Sequence, residues 1–295
     1  MTWQLVLAGL FTGLLVGMTG MGGGSLMTPI LVFLFGVPPT TAIGTDIAHG
    51  AVFKTVGAVQ HRRMGNVRAR LAGWMLVGSV PTSLVGVWLS SRLADVYGNG
   101  VKDVMGQVLG AALLFGCVGL VAKSLIRAEP VGDPDWELTT RDRVAAILIG
   151  AFGGFVVGLT SVGSGVFFGL TLLIVFPLRA HKVVGTDILH AAGLLWVAGV
   201  GHLVAGNVDL HAVAWLLVGS IPGILAGSQF SIHVADRMLR VLLSLVLFAS
   251  GAKLVGPSGN GWLVASGAYI AVTAAAMWAA RQRGAARLAS VARVD

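Results

Sequence analysis

The chain has 295 residues, 56% of them hydrophobic and 11% charged, with a mean hydropathy of +0.87. A soluble domain carries about 25% charged residues, so the composition excludes a water-covered globule and describes an all-α, polytopic membrane protein. The net charge of +8 would suggest nucleic acid in a soluble chain. Here the bases sit in loops and the tail, without interleaved aromatics, and nucleic acid is excluded as a partner.

In chain order, apolar runs predict helices over 3–21, 25–37, 42–60, 69–91 and 103–122. Most have the length of about 20 residues that crosses a bilayer. The run 25–37 is short; it follows Gly22-Gly23-Gly24 and ends at Pro38-Pro39. The stretch 123–143, with its prolines and mixed charges, reads as a surface linker. Helices are then expected over 144–160, a short 166–177, 182–204, 212–234 and 238–255, with one extra helix at 262–280 and a basic tail. The start, with no Lys or Arg before its apolar run, reads as a retained helix and not a cleaved signal. The single cysteine, Cys117, lies inside an apolar run and is expected to pack in the core.

A shift of 141 residues lays the chain on itself. Thr19 falls on Thr160, Gly44-Thr45-Asp46-Ile47 on Gly185-Thr186-Asp187-Ile188, and His49 on His190. His61 falls on His202, Gly65-Asn66-Val67 on Gly206-Asn207-Val208, Val77-Gly78-Ser79 on Val218-Gly219-Ser220, and Pro81 on Pro222. So many rare residues do not align by chance in an apolar chain; it is an internal duplication. The expected organisation is a first repeat (1–122), a cytoplasmic linker (123–143), a second repeat (144–255), an extra C-terminal helix (256–281) and a basic cytoplasmic tail (282–295).

Placing the Arg-rich loop 61–70 in the cytoplasm puts the N-terminus outside and the C-terminus inside. Matched loops then carry bases in one half and lack them in the other, which is the charge signature of an inverted repeat. This needs an odd number of crossings per half, and so rests on the two short runs counting as crossings.

Inverted repeats broken at matching places belong to secondary transporters, with sites near the midplane where half-helix N-termini face anions. Glycine lets backbone amides approach a ligand. The two breaks are therefore expected to hold a small oxyanion through Thr19, Gly22, Gly23, Gly24 and Ser25 in one half, and Thr160, Ser161, Gly163, Ser164 and Gly165 in the other. The competing reading is close packing of small residues between membrane helices. Asp46 with His49, and Asp187 with His190, share a helix face three residues apart. Carboxylates in lipid usually line a cavity or proton path. These pairs, with Thr45, Thr186 and Lys54, are candidates for gating or proton coupling, against the alternative that Thr45, Asp46 and Asp187 cap helices. Lys54, matched to Leu195, is expected to attract an anion, pair with Asp46, or snorkel toward the basic loop. His61 and His202 are expected at the membrane interface.

At the Gly-Met-Gly-Gly-Gly-Ser stretch, its weaker copy at 163–165 and the two Gly-Thr-Asp stretches, the sequence resembles the sulfite-exporter (TauE/SafE) family, over about residues 1–281. The resemblance implies a bacterial inner-membrane permease for sulfite or organosulfonates, with export as the usual direction and proton-coupled uptake of organosulfonates as the alternative. A cation or metal carrier, using the Asp and His residues as ligands, is the rival class. No HExxH, Walker loop or nucleophile–base spacing points to an enzyme, and no cofactor is implied. The expected partners are a small anionic substrate and the lipid bilayer; a homodimer is a reasonable assembly that the sequence does not argue for.

Overall fold

The structure is a computed structural model that describes residues 2–19, 23–97, 101–125, 136–163, 165–230, 236–256 and 261–269. Among these every regular element is a helix: α1 Thr2–Thr19, α2 Gly24–Leu34, α3 Pro39–Arg63, α4 Ala69–Tyr97, α5 Val101–Leu125, α6 Thr140–Thr160, α7 Phe167–Val175, α8 Ala180–Val204, α9 Leu210–Phe230 and α10 Asp236–Val255. A further helical stretch occupies 261–269. The centre of the expected linker, most of the extra helix and the tail lie outside the described residues.

Helix ends follow local chemistry. Pro39 opens α3 at a first-turn position, where its missing N–H costs nothing. Thr139 and Asp142 form a reciprocal capping box that starts α6. That is why α6 begins inside the stretch expected to be linker. Gly36, at φ 68°, ends α2 just before Pro38.

The repeat is visible as matched helices, α1 to α5 on α6 to α10. Among the described residues six helices are long and apolar enough to cross a membrane. Their outward faces carry Leu7, Val77, Leu148 and Val218, all more than half exposed, as a lipid-facing surface requires. α3 is not among the six: Asp46, His49 and Lys54 make it too polar, and all three are buried within the bundle.

Glycines fix how the helices pair. α1 lies parallel to α9, with Gly9, Gly13 and Gly17 against the backbones of Leu216, Ser220 and Ile224; Gly219, Gly223 and Gly227 return the contact at Val6, Leu10 and Leu14. A Cβ at Gly13 would stand 2.3 Å from the Ser220 carbonyl oxygen, and one at Gly219 1.9 Å from that of Val6. α4 and α6 repeat this arrangement, with Gly150, Gly154 and Gly158 against Met75, Ser79 and Ser83. Such close approach of backbones is what small residues at four-residue spacing allow in lipid. Each tight pair takes one helix from each repeat, so the repeats are interlocked.

The matched helices α3 and α8 pack antiparallel: Gly50 meets Leu195 and Gly57 meets Ile188. So do α5 and α10, where Gly106 meets Leu254 and Gly116 meets Leu247. Equivalent membrane helices that run opposite ways are related by a two-fold axis across their length, which lies in the membrane plane. The repeats are inverted. The short helices must therefore count as reversals, and α2 does double back along α1: Leu15 clusters with Leu26, and Leu5 with Met27 and Leu31.

Candidate functional site

The antiparallel contacts place the symmetry level near about residue 52 of α3 and 193 of α8. At 1.5 Å rise per residue, His49, His190 and Lys54 lie within about one turn of that level, while Asp46 and Asp187 flank it at about 9 Å on opposite sides. All five are buried. Both helices begin seven residues before their Asp, at Pro39 and Ala180, so neither Asp caps its helix.

The imidazoles are held alike in the two halves. His49 Nε2 hydrogen-bonds Ser220 Oγ on α9 at 2.8 Å, and His190 Nε2 hydrogen-bonds Ser79 Oγ on α4 at 2.9 Å. Each Nδ1 is buried without a hydrogen bond. Phe53 stacks on His49, and Phe168 meets His190 edge-on. Ser79 and Ser220 stood in the aligned Val-Gly-Ser stretches but were not singled out as site residues; the signal was a serine kept at the same place in both repeats, facing a kept histidine.

The Gly-Thr-Asp stretches divide their labour. Gly44 admits the Asn207 carbonyl, 2.1 Å from where a Cβ would stand, and Gly185 admits that of Asn66 at 2.2 Å. Thr45 Oγ1 accepts the Asp209 N–H at 2.9 Å, and Thr186 Oγ1 accepts the Arg68 N–H at 3.0 Å. Gly and Thr thus clasp the loop of the other repeat and leave Asp facing the centre. Lys182 Nζ also donates to the Gly65 carbonyl of that loop.

The carboxylates differ. Asp46 Oδ2 accepts hydrogen bonds from Thr28 and Ser161, both at 2.7 Å. The matching residues in the other half are Gly169 and Gly20, which have no hydroxyl to offer Asp187. Lys54 is buried, not snorkelled, and its stronger electrostatic partner is Asp187, with Asp46 second. It is the only Lys or Arg among the buried side chains of the described residues.

The expected oxyanion donors at the breaks are largely occupied. Thr19 Oγ1 donates to the Leu15 carbonyl and Thr160 Oγ1 to that of Val156, each at 2.7 Å. Ser161, in a left-handed turn at φ 61°, reaches Asp46. Gly23 and Gly163 supply carbonyls to the first turns of α2 and α7, and Gly165, at φ 96°, completes the second turn. Gly24 opens α2. Ser25 and Thr12 keep buried hydroxyls without hydrogen bonds. Gly22 and Ser164 lie outside the described residues. The two breaks do meet, through Leu15, Leu26, Val162 and Val166 and through the Ser161–Asp46 bond. A cavity of about 130 Å³ beside the second break is lined by Phe115, Phe152, Phe167, Val162 and other apolar groups, a lining that offers an anion nothing.

His61 and His202 are not on the surface: both are fully buried. His202 Nε2 hydrogen-bonds the Gly158 carbonyl at 2.9 Å. His61 faces the matching carbonyl of Gly17, in a geometry too poor to count as a hydrogen bond. Cys117 is buried, with its Sγ 3.1 Å from the Tyr269 hydroxyl. Among the described residues no group of three or more His, Cys, Asp and Glu is placed to hold a metal ion.

Two inverted five-helix repeats, interlocked around buried charges at mid-depth, define a multi-pass membrane transport protein. The chain belongs to the sulfite exporter TauE/SafE family, whose model matches residues 5–254. It is 34% identical over 257 residues, 86% of this chain and all of the relative, to the probable membrane transporter protein YjnA of Bacillus subtilis. It is 26% identical to the probable membrane transporter protein YdhB of the same organism, over 84% of this chain and 96% of the relative. With an archaeal relative, the probable membrane transporter protein MJ0441 of Methanocaldococcus jannaschii, it shares 22% identity over 84% of this chain and 92% of the relative. No solved structure matches the chain significantly.

Proposed function

We propose that the protein is a secondary transporter that exports small sulfur-containing anions, sulfite or organosulfonates, across a bacterial inner membrane by alternating access. The N-terminus faces outward and the C-terminus the cytoplasm. The observation that carries this reading is the buried Lys54 at the crossing of α3 and α8, beside two imidazoles, in a chain whose family is described as sulfite exporters. An ammonium kept at mid-depth in a bilayer is costly and marks an ion path. An inside-negative potential favours anion export by about 2.3 kcal/mol per charge per 100 mV.

The interlocked pairs suggest what moves. Parting the repeats as whole bodies would break every glycine contact of α1 with α9 and of α4 with α6. The moving units are instead α1 with α9 and α4 with α6, which rock about α3 and α8. Flux of radiolabelled sulfite and methanesulfonate from proteoliposomes, with and without a pH gradient, tests the activity. No flux of either anion removes the reading. Spin labels at Leu7, Val77, Leu148 and Val218, four matched lipid-facing sites, test the motion. The Leu7–Val218 and Val77–Leu148 distances should stay fixed when substrate is added, while Leu7–Val77 and Leu148–Val218 change; the reverse result would mean that the repeats move as bodies.

A further inference from the structure

Charge also gathers where α4 and α6 begin, away from the buried crossing of α3 and α8. The two helices run parallel, with Gly78 against Ile147 and Gly86 against Phe155. Residues 67–74 and 136–143 therefore come together at one membrane boundary. Between them lies a cavity of about 780 Å³. Arg68, Arg70, Arg143 and Glu137 give it a polar lining, and Trp74 and Trp136 an aromatic one.

The walls are held from behind. The Arg143 guanidinium lies 5.6 Å from the centre of the Trp74 ring, a cation–π contact. Trp136 packs on Phe176 with ring centres 5.8 Å apart, and Leu138 packs against the main core. These two residues end the stretch expected to be linker, and here they fold back over the loop between α3 and α4. Arg68 is half-buried, with its backbone N–H on Thr186, beside Asp187. The exposed charges of the lining are Arg70 and Arg143 against Glu137. Asp142, in the first turn of α6, is turned to the Thr139 cap. Arg63 is exposed on the same loop but does not line the cavity.

The matched end of the molecule shows what is particular to this one. The 141-residue shift lays Arg68 on Asp209, Arg70 on His211, Trp74 on Trp215 and Arg143 on Thr2. The tryptophan is kept, its Nε1–H on His211 at 3.1 Å; the arginines are not. Loop arginines satisfy the positive-inside rule wherever in the loop they lie. Topology alone does not require them to meet round one cavity with two tryptophans. Guanidinium groups bind phosphate through paired N–H donors, and tryptophan sits at the headgroup level of a bilayer. Basic pockets between membrane helices take anionic headgroups. Deeper on the same two helices Val77, Val144 and Leu148 are all more than half exposed, within about 8 Å of Trp74 or Arg143 along the helix axes.

We propose that this cavity is a seat for the phosphate of an anionic phospholipid from the adjacent leaflet, the cytoplasmic one in the orientation given above. Arg70 and Arg143 hold the phosphate, Trp74 and Trp136 flank the glycerol, and the acyl chains run down the apolar outer face of α4 and α6. The bound lipid ties the start of the second repeat to the loop of the first, at the end of a tight pair. The site goes beyond the transport reading and needs neither its substrate nor its direction.

The test is the melting temperature of the purified full-length protein in detergent, titrated with phosphatidylglycerol, phosphatidylcholine, inorganic phosphate or sulfite. Phosphatidylglycerol should bind in preference to phosphatidylcholine. Arg70→Gln and Arg143→Gln should each weaken it about 5-fold, and together roughly 25-fold. Arg63→Gln removes the same charge from the same loop, outside the cavity, and should leave it nearly unchanged. A wild-type melting temperature in phosphatidylcholine checks the fold of each variant. Photoactivatable phosphatidylglycerol in nanodiscs of the wild type, mapped by mass spectrometry, should label residues 67–74 and 136–148, and this result needs no variant to fold. An equal loss in Arg63→Gln, no preference for phosphatidylglycerol, or labelling confined to other segments overturns the proposal. Stabilisation by phosphate or sulfite at the same concentrations, abolished in the double variant, would make the cavity a seat for a soluble anion and overturns it too.

Discussion

The surroundings of Asp46 and Asp187 separate what the duplication kept from what it let diverge. The kept features are mechanical: glycine against backbone in the tight pairs, glycine and threonine clasping the opposite loop, serine holding histidine. Each occurs twice at matched positions. The divergent features all bear on charge. Lys54 faces a chain whose matched residue is Leu195, and the hydroxyls of Thr28 and Ser161 are matched by glycines. A two-fold scaffold with a one-fold charge pattern gives its two carboxylates different surroundings, and so room for different tasks.

The largest effects should fall on the mechanical features, and equally in both halves. Gly13→Val and Gly154→Val would each force a side chain against a backbone carbonyl oxygen that lies 2.3 Å or 2.4 Å from the new Cβ. Overpacking costs about 1–3 kcal/mol, and contact with backbone puts these variants at the upper end, read as lost thermal stability in detergent and lost expression in the membrane. Gly73→Ala, where a Cβ meets nothing within 4 Å, should change neither. Strongly unequal effects at 13 and 154 would show that the two tight pairs are not equivalent.

Next come the hydrogen bonds that distinguish Asp46. Ser161→Ala and Thr28→Ala each remove a charge-assisted bond worth about 1.5–3 kcal/mol. In an Asp46→Asn background the same substitutions should cost distinctly less, because the charge they serve is gone. The coupling from such a double-mutant cycle, measured by thermal unfolding, should be largest for Ser161, which makes its bond across the repeats. Purely additive losses would mean that the hydroxyls stabilise their own turns and not the carboxylate.

Much of the fold was legible in the sequence because lipid leaves few options. Apolar length gave the spans, and the alignment of Thr19 with Thr160 and of Asp46 with Asp187 gave the duplication. Base-rich loops facing base-poor ones gave the inversion, which the antiparallel packing of α3 on α8 now carries independently. The site was legible only in part. The residues at 46, 49, 54, 187 and 190 were visible as polar groups in apolar runs; the structure buries all five, with 49, 54 and 190 near the symmetry level and 46 and 187 flanking it on opposite sides. The role of each hydroxyl was not visible, because in a helix a threonine can turn back to its own carbonyl, as Thr19 and Thr160 do. Nor could spacing show that Ser161 sits in a left-handed turn beside Asp46, a contact between residues 115 positions apart. The pairing of α1 with α9 also depends on which glycine faces find each other, and one chain's sequence does not state that.

The smallest effect sharpens the contrast most. Thr45 and Thr186 stand next to the two carboxylates, and by sequence they belong with them. By geometry they belong to the scaffold, since each hydroxyl accepts a backbone N–H from the loop of the other repeat. Thr45→Val and Thr186→Val keep the shape and remove the acceptor, so each should cost about 1 kcal/mol. Both should leave anion flux unchanged, and both should speed hydrogen exchange at the freed amides of Asp209 and Arg68. If instead Thr45→Val disturbs transport while Thr186→Val does not, Thr45 shares the asymmetry of Asp46, and the line between scaffold and charge pattern runs through the Gly-Thr-Asp stretch and not around it.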